Sequence, residues 1–284
     1  MIEISAGGMT AAVAPELGGA VMRLALAGRD LLRPAPSLEA VAADPRAAAC
    51  YPCVPWFGRL FGGLTAGGRR YDIAPTLPAC DPDHPLHGVG WINAWRVEAQ
   101  RADSLRCVFE YAPAPLGFPF PFRAVQDFTV SATDFRIVLS LTNTGSTPMP
   151  AGLGLHPFFS KSKETLLRFS ARRLWAPGAT GSGEFHAIAA PFDFSQGASP
   201  PESTIDHSYE GWEGAAAILD GKDGVEMNSD APYLHLYAPA EGDFFCLEPV
   251  THLPGTFGAD MLNPAQTTNI FLRLSVPLPS AAHD

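Results

Sequence analysis

Apolar and polar residues alternate along most patterned stretches of the chain, which is the period of a β-strand with one buried face. The clearest case is the pair of runs Phe122–Val130 and Phe135–Leu141, separated by Ser131-Ala132-Thr133-Asp134. Two such runs around a short polar turn predict an antiparallel hairpin. Further strands are predicted at Ala11–Ala14, Trp95–Ala99, Cys107–Tyr111, Leu234–Tyr237, Phe244–Leu247 and Ile270–Val276.

Helical periodicity is rare in this sequence. The stretch Ser37–Ala49 is the one place where apolar residues recur at a helical spacing with a capping residue before them. Residues 176–201 are rich in Gly, Ser, Ala and Pro and predict a long surface excursion. Together these patterns predict an all-β protein built as a large antiparallel β-sandwich, with residues 1–284 forming a single domain.

The charge balance narrows the range of partners. The net charge is −10, and Lys and Arg occur in runs no longer than a pair, so we expect no nucleic-acid partner. No apolar run approaches the roughly 20 residues needed to cross a bilayer, and the N-terminal residues 1–4 do not resemble a signal peptide. We therefore expect a cytoplasmic protein with no membrane partner.

Five cysteines occur without a repeated spacing, at Cys50, Cys53, Cys80, Cys107 and Cys246. An odd number without a framework argues for free thiols. Cys50 and Cys53 form a C-x-x-C pair, for which two small buried residues are the simpler interpretation and a redox or zinc site the alternative.

Glu248 ends the strand predicted from Phe244, just before Pro249, and shares a strand face with Phe244 and Cys246. A carboxylate in this setting is partly desolvated, which raises its pKa toward neutrality and suits a general base. The alternative is a strand-end glutamate paired with an arginine or a backbone amide.

His156 follows Gly152-Leu153-Gly154-Leu155, so a strand here buries both leucines and places the histidine on the glycine face. The missing side chains predict room for a ligand beside it. A histidine satisfied within the core is the alternative.

His87 lies in the proline-rich loop Asp81-Pro82-Asp83-His84-Pro85-Leu86-His87, and loops on a rigid sandwich often carry binding residues. The His84-x-x-His87 spacing admits a metal site, although further ligands at defined spacing do not follow. Turn capping by these residues is the other interpretation.

Arg59, Asp206, Trp56 and Trp91 complete the set of candidates. Aromatic faces cover the apolar side of a pyranose, and charged side chains bond its hydroxyl groups. Each residue also has a structural alternative: core packing for the tryptophans, an ion pair for Arg59 and a turn for Asp206.

Four motifs occur in order: Val54-Pro55-Trp56-Phe57-Gly58-Arg59, His84-Pro85-Leu86-His87-Gly88, Gly154-Leu155-His156-Pro157-Phe158-Phe159 and Leu247-Glu248-Pro249. In this order and spacing they resemble the aldose 1-epimerase (galactose mutarotase) family. The resemblance spans most of the chain and implies a supersandwich that binds a free sugar in an open cleft, with no cofactor and no metal.

The resemblance also implies roles for the site residues. Glu248 matches the general base that takes the proton of the C1 hydroxyl, and His156 the general acid that protonates the ring oxygen. His87 matches a histidine that bonds the sugar and supports this transfer, and Arg59 and Asp206 match hydroxyl-binding positions. The arginine found after the histidine loop in phosphosugar-specific relatives is absent, which disfavours a hexose phosphate.

We therefore expect an isomerase that interconverts the α and β anomers of a free aldose as a monomer or homodimer. A sugar-binding or sugar-sensing protein without catalysis is the principal alternative. A cupin-like metal enzyme that uses His84 and His87 is a third.

Overall fold

The structure, a computed structural model, describes residues 1–178, 181–221 and 223–276. Most of the regular structure is strand. In chain order the strands are β1 (Ile2–Ala6), β2 (Met9–Ala14), β3 (Ala20–Leu26), β4 (Arg29–Asp30), β5 (Cys50–Cys53), β6 (Leu64–Ala66), β7 (Arg69–Tyr71), β8 (Arg96–Gln100), β9 (Ser104–Tyr111), β10 (Phe122–Val130), β11 (Asp134–Asn143), β12 (Met149–Pro150), β13 (Gly154–Ser160), β14 (Thr165–Arg168), β15 (Arg173–Pro177), β16 (Gly183–His186), β17 (Ile205–Glu210), β18 (Ala215–Asp220), β19 (Asp223–Asn228), β20 (Tyr233–Ala238), β21 (Phe244–Val250), β22 (Met261–Leu262) and β23 (Thr267–Ser275).

These strands form two large sheets with antiparallel pairing. The larger sheet has eleven strands in the order β1-β2-β3-β5-β13-β21-β20-β17-β15-β16, with β4 beside β3. The second has eight in the order β14-β18-β19-β23-β11-β10-β9-β8. Two small ribbons, β12-β22 and β6-β7, complete the set. The predicted all-β class and antiparallel sandwich are confirmed.

The predicted central hairpin is confirmed as β10 and β11. Phe122 pairs with Asn143 at one end and Val130 with Phe135 at the other. The second strand begins one residue earlier than the apolar pattern indicates, at Asp134, whose backbone carbonyl accepts a hydrogen bond from the Ser131 amide across the turn.

A continuous apolar core joins the two sheets. Leu155, Leu234 and Leu247 contribute to it from neighbouring strands of the larger sheet, and each is fully buried. Because strand side chains alternate between faces, the residues next to these leucines in sequence point to the opposite face of the same sheet. That opposite face carries His156, His235 and Glu248.

The predicted helical stretch contains one short helix, α1 (Leu38–Ala43). The Ser37 hydroxyl oxygen caps it by accepting a hydrogen bond from the Ala40 amide at 3.1 Å. The helix ends at Asp44, and a 3-10 turn over Pro45–Ala47 follows, because proline cannot donate the next helical hydrogen bond. A second 3-10 turn covers Gly90–Ile92. None of the described helices is long and apolar enough to cross a membrane.

The predicted excursion over 176–201 is wrong for its first part. β15 and β16 pair there as an edge hairpin of the larger sheet. The Trp175 and Phe185 rings meet edge to face across the two strands, with centroids 5.0 Å apart. A cross-strand aromatic pair of this kind stabilises a hairpin. The sequence of β15 and β16 shows no apolar alternation from which the hairpin could be predicted. Residues 179 and 180 lie outside the described residues.

The burial of the larger sheet predicts the outcome of a leucine truncation. We expect Leu155→Ala to lower the free energy of unfolding by about 2–5 kcal/mol, because it removes a fully buried side chain and leaves a cavity. Leu166→Ala, at a strand position that is 39% exposed, is the control and should change it by less than about 0.5 kcal/mol. Urea denaturation measures both, and equal losses would contradict the assigned core.

Candidate active site

A cleft of about 930 Å³ opens on the face of the larger sheet that points away from the core leucines. Five adjacent strands form its floor, in the order β5, β13, β21, β20 and β17. Loop residues between β5 and β6 and around His87 form a wall. The floor side chains are Tyr51, His156, Phe158, Asp206, His235, Tyr237, Phe244 and Glu248.

Strand register places the polar floor residues in one row. His156 pairs with Tyr51 of β5, and His235 of β20 pairs with Glu248 of β21. β13 lies beside β21, and the Nε2 atom of His156 is 3.3 Å from Oε1 of Glu248. Residues separated by 92 positions in the sequence therefore meet as direct neighbours.

Glu248 and His156 form this contact almost out of reach of solvent, since their side chains are 1% and 8% exposed. Oε2 of Glu248 and Nδ1 of His156 are buried and have no hydrogen-bond partner. Burial raises the pKa of Glu248 well above its ordinary value, and the charge of Asp206 adds to this shift. This is the direction that the sequence predicts.

Burial lowers the pKa of His156 well below its ordinary value, and neighbouring His87 and His235 lower it further. Both shifts favour the uncharged forms of the pair. The direction of both shifts therefore favours a proton on the carboxyl group of Glu248 and a neutral imidazole on His156.

His87 reaches the same row from its loop. Its backbone amide donates to the Gly58 carbonyl at 2.9 Å, and the Gly58 amide donates to its Nδ1 at 3.2 Å. Burial and the charge of Arg59 lower the pKa of His87 to about 3. The ring is therefore neutral at physiological pH, and because Nδ1 accepts, its proton lies on Nε2.

Gly88 allows this loop to approach the sheet. It has a φ of +73°, and a Cβ atom there would lie 2.1 Å from the Val54 carbonyl oxygen. Behind the loop, the Trp91 indole nitrogen donates to the carbonyls of Leu86 and Gly88 at 3.1 and 3.2 Å. These contacts thus fix the loop backbone on both sides of His87.

Arg59 lies on the cleft wall and pairs with Asp81, Nε to Oδ2, at 2.6 Å. The other oxygen of Asp81 accepts hydrogen bonds from the amides of Asp83 and His84, which confirms turn capping in this loop. Burial raises the pKa of Asp81, but the hydrogen bonds from Arg59 and these amides outweigh it, and the pKa is lowered to about 2.

Asp206 lies on β17 rather than in a turn, and its side chain is half exposed to the cleft. Nε2 of His235 is 3.2 Å from its Oδ1, and Nδ1 of His235 is 2.8 Å from the Ser208 hydroxyl. Partial burial raises the pKa of Asp206, but the hydrogen bond and charge of His235 outweigh it and lower the pKa. Ser208 is fully buried, so this Ser-His-Asp array offers no accessible nucleophile.

His235 was not among the predicted site residues. The signal was present in Tyr233–Tyr237, because Leu234 and Leu236 alternate with it and point to the core. A strand histidine flanked by two core leucines must face the opposite side of its sheet. That side becomes recognisable as a site only when β20 is known to lie beside β21.

The structure brings Glu248, His156, His87, Arg59 and Asp206 together and corrects the other two predictions. Trp56 and Trp91 are 0% and 1% exposed, so neither can contact a sugar in the cleft. Trp56 packs in the core against Phe118 and Phe257, while Trp91 supports the His87 loop. The aromatic residues that line the cleft are Tyr51, Phe57, Phe61, Phe158, Tyr237 and Phe244.

His156 lines the cleft, as predicted, but the neighbouring glycines do not provide the space for a ligand. A Cβ at Gly152 would lie 2.4 Å from the His252 ring, and one at Gly154 would lie 3.3 Å from the Phe57 ring. The two glycines therefore make room for protein side chains. His252 in turn accepts a hydrogen bond from the Phe57 amide through Nε2 at 3.0 Å.

The histidines of the His84-x-x-His87 motif contact protein groups and do not form the metal site that their spacing admits. Nδ1 of His84 is 3.2 Å from Asp81, and Nδ1 of His87 accepts from Gly58. Within the described part of the chain, neither histidine belongs to a group of three or more ligand-type side chains close enough to share an ion.

All five cysteines are free thiols, and Cys50 and Cys53 are buried, as the simpler interpretation predicts.

A two-sheet antiparallel sandwich with a buried Glu248–His156 contact in an open cleft agrees with the resemblance in the sequence motifs. The chain belongs to the aldose 1-epimerase family, whose sequence model matches residues 1–268. It is 32% identical over 266 residues to the uncharacterized protein YphB of Escherichia coli K12, covering 87% of this chain and 88% of that protein.

Solved structures support the same fold. A candidate aldose 1-epimerase from Escherichia coli K12 has a TM-score of 0.86 at 29% identity, with 98% of each chain covered. A galactose mutarotase-like protein from Clostridium acetobutylicum also has a TM-score of 0.86, at 18% identity, covering 98% of this chain and 95% of that one. At 18% identity the likeness shows the fold alone.

The Ser208–His235 hydrogen bond predicts a measurable coupling. We expect a double-mutant cycle of Ser208→Ala and His235→Ala to give a coupling free energy of about 1 kcal/mol in unfolding, because each single change leaves a buried polar partner unpaired. The control is the exposed Thr142–Thr267 hydroxyl pair, at 2.8 Å, where water replaces the lost partner. A coupling no larger than that of the control would contradict the assigned hydrogen bond.

Proposed function

We propose that this protein interconverts the α and β anomers of a free, uncharged aldose by opening and closing the sugar ring. The observation that carries the proposal is the buried Glu248–His156 contact, in which two groups of opposite acid/base character meet at 3.3 Å in a cleft large enough for a sugar. Anomer exchange requires one proton removed from the C1 hydroxyl and one delivered to the ring oxygen. The pair can do both.

The proton count of the pair supports this chemistry. In the reactive form, His156 carries the proton and Glu248 is ionised, and binding of polar sugar hydroxyls stabilises this charged arrangement relative to the empty cleft. Ring opening moves the C1 proton to Glu248 and the His156 proton to the ring oxygen. The pair then holds its single proton on the carboxyl group, which is the form that burial favours.

Ring closure reverses these two transfers. Rotation about the C1–C2 bond presents the other face of the carbonyl carbon to the C5 hydroxyl. His156 takes the hydroxyl proton as the ring forms, and Glu248 returns its proton to the carbonyl oxygen. The protein ends in its starting protonation state, so no cofactor is consumed.

The remaining polar residues of the cleft provide sugar contacts in this proposal. The Nε2 proton of His87 is a hydrogen-bond donor beside His156, with the two ring centroids 5.2 Å apart. The guanidinium of Arg59 and the carboxylate of Asp206 supply a donor and an acceptor for hydroxyl groups. Aromatic side chains on the floor and wall can cover the apolar side of the ring.

The charges of the cleft favour an uncharged substrate. Its two lining arginines are each paired with an aspartate, Arg59 with Asp81 and Arg46 with Asp44. Asp206 adds a further negative charge. A phosphate or carboxylate on the sugar would have to compete with these acids for a cation, so a free aldose fits better than a hexose phosphate.

Removal of the general base tests the proposal. The wild type should accelerate the change in optical rotation of freshly dissolved α-glucose or α-galactose, and Glu248→Gln should lower the rate by about 10²–10⁴, the usual contribution of a positioned acid/base group. Glu226→Gln, at an exposed strand position, is the matched control and should leave the rate unchanged. Polarimetry measures all three proteins.

Two results would overturn this function. If the wild type binds these sugars by calorimetry but leaves the polarimetric rate at the buffer value, the protein is a sugar-binding protein. If Glu248→Gln is as active as Glu226→Gln, the reaction does not depend on the buried pair. Glucose 6-phosphate serves as a comparison substrate, for which we expect a lower kcat/KM than for glucose.

The one-proton requirement also predicts the pH dependence. A second proton inactivates the pair by charging His156 while Glu248 is protonated, and burial holds the pKa of His156 below 6.5. At high pH the pair loses its single proton and becomes inactive. Burial raises the pKa of Glu248 above 4.5 and so moves this loss to higher pH. We expect kcat/KM to fall in acid only below pH 6.5, because burial lowers the pKa of His156 from that ordinary value. An acid limb centred above 6.5 would contradict this account.

A further inference from the structure

Cys246 lies beside the acid/base pair but has no part in the proposed reaction. It precedes Glu248 by two residues on β21, so both side chains point to the same face of the sheet. His156 is on the neighbouring strand. A nitrogen of His156, the sulfur of Cys246 and a carboxylate oxygen of Glu248 all lie within 4.8 Å of one another, and all three residues are buried.

Two atoms in this group have unused hydrogen-bonding capacity. Oε2 of Glu248 and Nδ1 of His156 are buried without a partner, in side chains that are 99% and 92% withdrawn from solvent. Buried polar atoms are nearly always paired, and an unpaired one is typical of a catalytic group or of an atom that pairs with a bound water, ion or ligand. A sugar is one such partner. For Oε2 of Glu248 a cation is another, whereas a cation that binds Nε2 of His156 leaves Nδ1 unpaired.

We propose that His156, Cys246 and Glu248 form a reversible site for a thiophilic divalent cation, represented by Zn²⁺, and that the bound cation blocks the reacting centre. A sulfur, an imidazole nitrogen and a carboxylate oxygen are the ligand types that zinc takes, whereas Mg²⁺ and Ca²⁺ prefer oxygen alone. Three protein ligands leave the fourth tetrahedral position for water or a sugar oxygen.

The geometry points to reversible occupancy. Zinc bond lengths require tetrahedral ligand atoms roughly 3.4–3.6 Å apart. The His156–Glu248 contact of 3.3 Å is already close to this, and Cys246 has to approach by at most about 1.2–1.4 Å from the 4.8 Å limit. A histidine that binds zinc tightly usually donates its other nitrogen to an acceptor, and Nδ1 of His156 has none.

Blocking follows from the identity of the ligands, and this part of the inference rests on the proposed function. A cation bound to Glu248 and His156 occupies the lone pairs that the proton transfers need. A sugar that places its C1 hydroxyl against Glu248 must displace it. Metal binding itself does not depend on the reaction.

The test uses Co²⁺ and Zn²⁺ with the full chain after removal of metal by a chelator. We expect one Co²⁺ per chain with the near-ultraviolet absorption band of a thiolate complex, and displacement of Co²⁺ by Zn²⁺. Cys246→Ala should remove the band and raise the Kd for Zn²⁺ by at least about 10-fold, since even ligand-supporting residues contribute that much. Cys107→Ala, a buried thiol on the other sheet, is the matched control and should behave as wild type.

Activity measurements separate this inference from the proposed function. Zn²⁺ should slow mutarotation by the wild type and Cys107→Ala, with recovery on chelation, and should affect Cys246→Ala only at concentrations at least about 10-fold higher. An active wild type that Zn²⁺ does not slow, or a thiolate band that persists in Cys246→Ala, would overturn the metal site. A protein that binds Co²⁺ with the band but shows no mutarotation without metal would retain the site and overturn the function.

Discussion

The desolvated contact between Glu248 and His156 is the constraint on which the cleft depends. Two ionisable groups are held 3.3 Å apart with almost no access to water, and one atom of each has no partner. Such an arrangement costs free energy, because each group is stripped of solvent without full compensation. The fold must supply this energy elsewhere, through the apolar core on the other face of the same strands.

The alternation of strand side chains links that stabilising core directly to the site. Leu155 and Leu247 are fully buried against the second sheet, and each is the immediate sequence neighbour of a polar residue of the pair. Any displacement of β13 or β21 that moved the pair apart would also disturb the packing of these leucines. Core packing on one face of these strands therefore holds the pair in position on the other face.

The sequence predicted the parts of the site that depend on a single strand. Glu248 and His156 stand out because each interrupts an apolar or glycine-rich run, and period two assigns each to a face. What they touch depends on strand order, which a chain with many similar strands does not reveal. His235 was missed for this reason, and Trp56 and Trp91 were misassigned because a large aromatic residue suits both a sugar cleft and a core.

The edge hairpin β15–β16 and the glycines beside His156 also show that contacts between strands cannot be predicted from the pattern of one strand. In the hairpin, Trp175 and Phe185 contact each other across the two strands. Its strands are too short for an apolar alternation from which the hairpin could be predicted. Gly152 and Gly154 were interpreted as room for a ligand beside His156, but the groups that approach them are the side chains of His252 and Phe57. A missing side chain predicts that space is needed and does not identify the group that fills it.

The two acidic residues on the floor of the cleft, Asp206 and Glu248, differ in burial and therefore in the charge state that is favoured. Asp206 is half exposed and stabilised as an anion by His235, whereas Glu248 is buried and favoured in its protonated form. Both belong to one sheet face, two strands apart. A ligand that reaches from Asp206 to Glu248 contacts the Asp206 carboxylate at one end. At the other end it supplies polar contacts to Glu248 and His156, which have little access to water. In the proposed reaction, binding and activation of the pair are then the same event, because the hydroxyl groups that anchor the sugar also stabilise the charged form of Glu248 and His156.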